Sequence, residues 1–452
     1  MPAIQLGSHL YSVGVANPAL RVFDIVMDAP YGTTYNAWLL TGEKNVLIET
    51  VHADFWDEYR ANIESVLPLE KIDYLIMQHN EPDHSGSVAR LLEVCPNLTV
   101  IATVSGKKFL GDITNREMNV QVVKQGDTLD LGEGRVLEFI PAPMLHWADS
   151  MFTWCAADKV LFTCDFLGAH FCESTMLDTG IHYTDAYLGQ VKHYYECIFG
   201  PFKPYVLAGL DKIKDLHPAM VCTCHGPCLT ERYEEICALY RQWSTPVVRE
   251  NKLAAVLYCS AYGCTEALAK AAADKLLSLG LDVELIDVTF TPLSESAALA
   301  NEADLLLVGA PTINRDAPKA IWDVLCSIDA VNCAKKPAAV FGSYGWSGEG
   351  PEMLRTRLAQ LKFNVPEAPF RVTFTPPRPL LGPGPPRPQR PPPTPKPRKP
   401  PRGEKGARRI LAAGALFLCF GQAQISPRSA RMRFLRASTP TFTAAETSWL
   451  SS

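Results

Sequence analysis

The chain has 452 residues, of which 47% are hydrophobic and 20% are charged. At about 150 residues per domain, this length predicts two or three domains, and the average composition excludes collagen, coiled coil and disorder throughout the chain. No segment reaches the roughly 18–20 apolar residues that a membrane span needs. The first five residues (MPAIQ) show neither the basic nor the apolar region of a signal peptide. We therefore expect a cytoplasmic protein.

The net charge of −5 conceals a strong asymmetry along the chain. Residues 376–452 carry a charge of +12, whereas residues 1–375 carry −17. The acidic body argues against nucleic acid as a ligand, because binding to phosphates requires a basic surface. The fourteen cysteines are expected to be thiols or metal ligands, since a long chain without an export signal seldom depends on disulfides.

The first predicted domain, residues 1–246, consists of short strands and loops, with helices later in the sequence. Asn36–Glu49 contains two apolar runs separated by Thr-Gly-Glu-Lys, which predicts a hairpin. Ile72–Gln78, Leu137–Ile140 and Val160–Cys164 are further predicted strands. Each of these strands runs into a loop that carries a His or an Asp.

The second predicted domain, residues 247–375, alternates strands with helices, which indicates a doubly wound parallel sheet. The predicted strands are Ala254–Cys259, Val283–Val288, Leu305–Val308, Ala338–Phe341 and Phe370–Phe374. The predicted helices are Thr265–Leu279, Pro318–Cys326 and Pro351–Leu361.

Residues 376–452 form a third segment that is rich in proline and arginine. Fourteen of the 28 residues in 376–403 are prolines, a composition that favours polyproline II and cannot form a packed core. The apolar run Ile410–Phe420 is too short to span a bilayer. We expect a disordered extension, and an SH3-type or membrane-surface tether is the alternative.

The densest group of potential metal ligands follows the strand predicted at Ile72–Gln78. Its sequence is His79-Asn80-Glu81-Pro82-Asp83-His84. So many charges and imidazoles in one segment are costly without a cation, because like charges repel and buried imidazoles stay unpaired. A solvated surface loop is the alternative, but the apolar sequence of the preceding strand predicts that it is buried. We therefore favour a metal site.

Three more candidate ligands follow later strands: His146, Asp165 and His225. They bring the total to four imidazoles and three carboxylates. A set of seven ligands suits two metal ions that share a bridging carboxylate and keep positions open for substrate.

This pattern resembles the metallo-β-lactamase superfamily, whose usual signature is HxHxDH, except that Glu81 replaces the second His. Nitrogen-rich sites favour zinc, whereas more carboxylate oxygen stabilises ferric iron and suits redox cycling. The pattern HxExDH followed by His, Asp and His is similar to that of the flavodiiron proteins. The resemblance implies one iron held by His79, Glu81 and His146, a second held by Asp83, His84 and His225, and a bridge through Asp165.

The segment Cys222–Cys228 offers a competing interpretation as half of a zinc knob. No second cluster of Cys and His stands nearby to complete four ligands without taking the others. We therefore expect Cys222, Cys224 and Cys228 to be buried or incidental thiols.

Other histidines and tyrosines are expected to be structural. In the family a residue at the position of His170 can approach the iron, which implies a place beside the ligands. Tyr194 and Tyr195 are expected in the core, with proton donation as the alternative. The remaining histidines are expected on the surface or in the core: His9, His52, His182, His193 and His217.

Three loops of the second domain carry small, hydroxyl and aromatic residues at the carboxyl ends of predicted strands. The first loop leads into a helix, whose N-terminal N–H groups can bind an anion, and it contains neither a P-loop nor a GxGxxG motif. Ligands of doubly wound sheets lie beyond such strand ends. The pattern resembles flavodoxin and implies FMN, while an aromatic cover for the sheet edge is the alternative. The candidate FMN contacts are Ser260, Ala261, Tyr262, Gly263, Cys264, Thr265, Pro311, Thr312, Ile313, Asn314, Ser343, Tyr344, Gly345, Trp346 and Gly348.

The end of this domain departs from the flavodoxin pattern. A flavodoxin-like domain normally ends with a helix after its fifth strand, but here Phe370–Phe374 is followed by the proline-rich segment. The final helix is therefore expected to be missing or replaced, which would leave one sheet face uncovered.

A β-lactamase-like domain followed by a flavodoxin-like domain is the order found in the flavodiiron family. The resemblance implies an αββα sandwich followed by a doubly wound parallel sheet. It also implies reduction of O2 to water or of NO to N2O at two Fe ions, with electrons relayed through FMN. A head-to-tail homodimer or tetramer is the implied assembly. The implied electron donor is external, rubredoxin or a similar protein or reductase, because the sequence contains no rubredoxin-like CxxC pair or NAD(P)H-binding domain.

Two alternatives to this function remain open. One is a di-zinc metallo-β-lactamase-like hydrolase with an accessory flavodoxin domain, in which metal-bound water would attack an ester or amide. The other is a non-catalytic electron carrier or scaffold with a vestigial metal site.

Overall fold

The computed structural model describes residues 2–377 and the backbone of Met432–Phe434. The chain divides into two compact units, Met1–Pro246 and Val247–Ser452. Among the described residues, no helix is long and apolar enough to cross a membrane.

The first unit is built from short strands interspersed with helices. Its strands are β1 (Ile4–Gln5), β2 (Leu10–Ser12), β3 (Val15–Asn17), β4 (Val22–Phe23), β5 (Met27–Asp28), β6 (Thr33–Tyr35), β7 (Trp38–Leu40), β8 (Val46–Ile48), β9 (Tyr74–Ile76), β10 (Thr99–Ala102), β11 (Val120–Val122), β12 (Thr128–Asp130), β13 (Val136–Pro141), β14 (Met151–Cys155), β15 (Val160–Cys164) and β16 (Met220–Thr223). Its helices are α1 (Trp56–Glu64), α2 (Pro82–Ser85), α3 (Val88–Val94), α4 (Val104–Thr114), α5 (Thr184–Tyr194), α6 (Lys203–Ile213) and α7 (Tyr233–Ser244), with a π-helix at Tyr195–Phe199. Four 3-10 turns lie at Ala53–Phe55, Leu69–Lys71, Asp178–Gly180 and Gly200–Phe202.

Two sheets face each other in this unit. One has the strand order β1-β2-β7-β8-β9-β10-β11 and the other the order β12-β13-β14-β15-β16. Successive residues of a strand point to opposite faces, so Leu40 and Ile48 pack between the sheets with Phe162, whereas Leu39 and Leu47 pack outward in the cluster that contains the helices. The unit is therefore an αββα sandwich, as predicted.

The predicted strands that lead to the polar loops are present. The hairpin predicted within Asn36–Glu49 is the antiparallel pair β7–β8, and β9, β13 and β15 lie at the predicted positions. Strand β9 pairs in parallel with β8 and β10, and β15 pairs in parallel with β16. The carboxyl ends of parallel neighbours lie at one edge of a sheet, which places their loops together.

The second unit alternates strands and helices. Its strands are β17 (Leu253–Tyr258), β18 (Asp282–Asp287), β19 (Leu305–Gly309), β20 (Ala338–Tyr344), β21 (Phe370–Thr373) and β22 (Met432–Phe434). Its helices are α8 (Cys264–Ser278), α9 (Leu293–Glu302), α10 (Lys319–Cys326), α11 (Ala330–Cys333) and α12 (Glu349–Gln360). The sequence patterns missed α9 and α11.

All ladders of this sheet are parallel, in the order β21-β20-β19-β17-β18-β22. The order reverses between β17 and β19, which is the switch point where doubly wound sheets bind ligands. Along β17, Ala255 and Leu257 face the core that α9, α10 and α12 cover, while Ala254 and Val256 face the core beneath α8. The doubly wound sheet is as predicted.

Beyond residue 377, the structure describes only Met432–Phe434. Met432–Phe434 form an edge strand that pairs with β18, in the register Val283↔Met432 to Leu285↔Phe434. None of these three residues is proline, so each main-chain N–H group can pair with the exposed edge of β18. Disorder stays a prediction for the segment 376–452 as a whole. Its remainder, including the proline-rich stretch and the run Ile410–Phe420, lies outside the described residues.

Candidate metal centre

The structure brings all seven predicted ligands to one edge of the sandwich. Each follows a strand: the first four come after β9, and the others after β13, β15 and β16. Pro82 opens the short helix α2, which turns the chain within the first segment. The seven side chains fall into two groups around a shared carboxylate: His79, Glu81 and His146; Asp83, His84 and His225; and Asp165.

The first group consists of two imidazoles and one carboxylate. Glu81 Oε2 lies 3.2 Å from His79 Nε2 and 3.0 Å from His146 Nε2. Asp165 Oδ2 lies 3.6 Å from His79 Nε2 and 3.5 Å from His146 Nε2. Four ligand atoms therefore surround one position.

The second group has the same chemical composition. Asp83 Oδ2 lies 3.4 Å from His84 Nε2 and 3.1 Å from His225 Nε2. Asp165 Oδ1 lies 3.1 Å from His84 Nε2 and 3.4 Å from His225 Nε2. The two oxygens of Asp165 thus face different groups, which is the geometry that a bridging carboxylate requires.

Five buried atoms of the ligand side chains have no hydrogen-bond partner. Both oxygens of Asp83, both oxygens of Asp165 and His84 Nε2 are buried without a hydrogen-bond partner. Unpartnered buried polar atoms are costly, and a cation at each group would satisfy them. A donor set of four imidazoles and three carboxylates also suits iron, so these residues fit a di-iron centre.

Opposite charges perturb the ionisation of the first group. Burial alone would lower the pKa of His79, but hydrogen bonds with Asp149 and Glu81 raise it to about 10. Burial would raise the pKa of Glu81, but hydrogen bonds with His146 and His79 lower it. Without metal, these contacts favour a protonated His79 and an ionised Glu81.

Neighbouring opposite charges also shift the pKa values of Asp165 and of the second group. Burial would raise the pKa of Asp165, but His84, together with His146 and His225, holds it well below its usual range. Burial would lower the pKa of His225, but Asp165 and Asp83 raise it to about 9. Metal binding at this site must therefore displace protons.

Sequence reasoning missed the groups behind the ligands. Asp149 Oδ1 lies 3.2 Å from His79 Nδ1, the Thr34 carbonyl oxygen lies 2.7 Å from His225 Nδ1, and Glu49 Oε2 lies 3.8 Å from His84 Nδ1. A signal existed for Glu49, since it directly follows β8, the parallel neighbour of β9. Asp149 stands three residues after His146, again just before a strand.

The zinc-knob interpretation does not match the structure. Cys222 and Cys228 lie in the core between the sheets, with their sulfur atoms 4.0 Å apart. Cys224 belongs instead to a buried group with Cys164 and His84. The cysteines of this motif therefore do not converge on one metal position, and all three are buried thiols, as predicted.

His170, expected beside the ligands, and Tyr194 and Tyr195, expected in the core, are all buried. His170 is buried, its Nδ1 lies 2.8 Å from Thr33 Oγ1, and its ring stacks on Phe23. Burial, with the nearby His225, lowers the pKa of His170 well below its usual value, which favours the neutral imidazole. Tyr194 is buried with its ring 4.9 Å from that of His170. Tyr195 contacts Ser244 through its hydroxyl, as a core residue would.

In the second unit, the predicted FMN residues lie at the carboxyl ends of β17, β19 and β20. Two details differ from prediction: α8 begins one residue earlier, at Cys264, and β20 continues to Tyr344 because β21 pairs with its last residues. Thr265 Oγ1 and Ser343 Oγ are buried and 2.9 Å apart, so these two hydroxyls connect the first loop to the third.

The loops present exposed aromatic rings beside a helix N-terminus. Tyr262 is 94% exposed and Trp346 is 83% exposed, so both rings are available to a planar ligand. The guanidinium of Arg315 lies 5.9 Å from the centre of the Trp346 ring. The first N–H groups of α8 have no partner within the helix, and Gly263, at φ +76°, caps it. An aromatic platform next to an anion site fits FMN.

Comparisons with known proteins agree with this architecture. Residues 34–226 match the family model described as the ODP family beta lactamase, and residues 256–381 match the flavodoxin model. The chain is 49% identical over 383 residues to flavo-diiron protein FprA2 of Clostridium acetobutylicum, covering 83% of this chain and 95% of that one. It is 34% identical to type A flavoprotein fprA of Rhodobacter capsulatus, covering 83% and 87%.

Solved structures give the same result. Rubredoxin oxygen:oxidoreductase from Desulfovibrio gigas superposes with a TM-score of 0.64 at 29% identity, covering 84% of this chain and 95% of that one. The flavodiiron protein from Giardia intestinalis superposes with a TM-score of 0.62 at 26% identity, covering 84% and 93%. The chain therefore belongs to the flavodiiron proteins, oxidoreductases that combine a di-iron centre in a lactamase-like unit with FMN in a flavodoxin-like unit.

Proposed function

We propose that residues 1–246 hold the di-iron centre through the seven ligands described above and that residues 247–375 bind FMN through the three loops. Two iron ions bound there would supply the redox chemistry that reduces O2 to water, NO to N2O, or both, with electrons delivered through FMN. The observation that carries this proposal is Asp165, whose two unpartnered oxygens each face a separate pair of imidazoles.

The protein's own side chains would hold and orient these groups. Within the site, Glu81 and Asp83 each sit between two imidazoles, so each iron position would receive two nitrogens, one carboxylate and a share of Asp165. Both positions would thus carry the same ligand charge. In the second unit, Trp346 and Tyr262 would stack on the flavin, and the N-terminus of α8 would bind its phosphate.

The partners follow from the resemblance rather than from geometry. One structural relative is named rubredoxin oxygen:oxidoreductase, which supports O2 as a substrate and a rubredoxin-type protein as the electron donor. We also propose a head-to-tail homodimer or tetramer in the cytoplasm. Light scattering on the purified protein would determine the size of the assembly. The hydrolase alternative is not favoured, because the relatives reported above are flavodiiron proteins and flavoproteins.

The decisive experiment combines composition with turnover. The purified protein should contain two Fe and one FMN per chain, and its flavin should be bleached by anaerobic reductant and restored by O2 or NO. His79→Gln should abolish gas reduction while FMN content stays at the wild-type level. His182→Gln, at an exposed histidine, is the control and should behave as wild type.

Two results would reject the proposal. A colourless protein that contains only zinc and is inert toward both gases would indicate the hydrolase instead. Unchanged consumption of O2 and NO by His79→Gln would indicate that the lactamase-like unit holds no working metal site.

A further inference from the structure

The two iron positions have matched ligands but unmatched surroundings. Each position offers two imidazoles and one carboxylate of its own, and both share Asp165. One difference between the two positions lies in the groups that contact the ligands on their far sides. This inference rests on the proposed function, since it concerns the ligand roles assigned there.

On the first side, a buried carboxylate backs an imidazole. Asp149 Oδ1 lies 3.2 Å from His79 Nδ1, and both side chains are fully buried. Asn80 Nδ2 donates to Asp149 Oδ2 at 2.7 Å, and Thr103 Oγ1 donates to the Asp149 carbonyl at 3.1 Å. Asn80 therefore fixes the carboxylate of Asp149 and Thr103 fixes its main chain, so the side chain can hold the His79 ring in one orientation.

On the second side, neither imidazole has such a partner. His225 Nδ1 lies 2.7 Å from a neutral acceptor, the Thr34 carbonyl. His84 Nδ1 lies 3.8 Å from Glu49 Oε2 and 4.0 Å from Cys164 Sγ. A distance of 3.8 Å to oxygen exceeds the range of a hydrogen bond, so Glu49 does not back His84 as Asp149 backs His79.

We propose that Asp149 is a positioning residue that makes the His79 side of the centre the tighter iron position. A carboxylate that accepts the Nδ1 proton of a ligating histidine fixes the tautomer, leaves the Nε2 lone pair free for metal and increases its basicity. The neutral carbonyl behind His225 and the distant Glu49 fix the tautomers of their imidazoles less firmly and increase the Nε2 basicity less. The two halves of a chemically symmetric centre would then bind iron in sequence.

The test is an anaerobic titration of the metal-free protein with Fe²⁺ against a competing chelator. The wild type should bind in two steps, and Asp149→Asn should weaken the tighter step by about 10- to 100-fold while leaving the weaker step unchanged. Asn retains an acceptor but removes the charge. Glu49→Gln is the matched control, another buried carboxylate near a ligand, and should change either step by less than about 3-fold.

A second variant keeps the test valid if Asp149→Asn folds poorly. Asn80→Ala keeps the carboxylate but removes the hydrogen bond that fixes it, so a smaller loss in the same step is expected. Equal weakening of both steps, or no weakening, in a folded Asp149→Asn would overturn the inference, as would a larger effect from Glu49→Gln. If instead the wild type fails to bind two iron ions, the proposed function fails first.

Discussion

Removing iron should make the stability of the first unit strongly dependent on pH. Without metal, the cluster is held by protonated imidazoles that contact ionised carboxylates, and the pKa values of His79 and His225 are about 10 and 9. Both values are raised above the ordinary value of 6.5. The stabilisation is therefore complete below about pH 6.5 and is lost as the pH rises toward 9 and 10.

The loss of folding free energy at high pH can be calculated from the raised pKa values of the two histidines. At about 1.4 kcal/mol per pKa unit, the raised pKa of His79 corresponds to about 5 kcal/mol and that of His225 to about 3 kcal/mol. The two contributions overlap because both imidazoles face Asp165. A loss of about 3 to 5 kcal/mol is therefore expected, which for a unit of this size lowers Tm by on the order of 10 °C.

The assay is calorimetry of the metal-free and iron-loaded proteins between pH 6 and pH 9.5. Ionisation of buried thiols and phenols also destabilises the fold at high pH in both forms, so the cluster is assessed from the Tm difference between them. That difference should widen with pH, and metal-free His79→Gln should show a shallower fall. A difference that stays constant across this range would refute the reasoning.

Three further outcomes are expected. Asp165→Asn should reduce iron from two ions per chain to fewer than one by metal analysis, because both positions lose a ligand, while flavin absorbance per chain stays unchanged. Trp346→Ala should weaken FMN binding by about 2- to 13-fold, the equivalent of 0.5–1.5 kcal/mol of ring stacking, in a fluorescence titration, with iron content as the internal control; unchanged affinity would contradict its place on the flavin. Phe162→Ala, in the core between the sheets, should lower the free energy of unfolding by about 3–5 kcal/mol in urea, and a loss below 1 kcal/mol would contradict that placement.

The strands that carry ligands could be predicted because their hydrophobic patterns are strong. Strand β15 was predicted with both ends correct, and β9 lies inside its predicted range. Helices α9 and α11 were missed because α9 is an Ala-rich segment with few large apolar residues and α11 spans a single turn. The edge strand β22 could not be foreseen, since it depends on pairing with β18 rather than on a pattern of its own.

The seven ligands could be predicted from the sequence, whereas the residues that contact them from behind could not. All seven occupy strand ends, and unusual density marks the first four. Asp149 and Glu49 stand outside that dense segment, and although Glu49 directly follows β8, an isolated acidic residue near a strand is ordinary in any sequence. Only the fold shows that one of them reaches His79 Nδ1 at 3.2 Å and that the other stops 3.8 Å from His84 Nδ1.

The exchange of imidazole for carboxylate at position 81 now has a geometric meaning. Asp83 lies between His84 and His225, and Glu81 lies in the same way between His79 and His146. A histidine at position 81 would give one metal position three imidazoles and leave the other with two and a carboxylate, an unequal division of charge. Glu81 equalises the two halves around Asp165, so that both proposed iron positions can stabilise the ferric state to a similar degree. The remaining asymmetry then lies behind the ligands, where Asp149 contacts only one half.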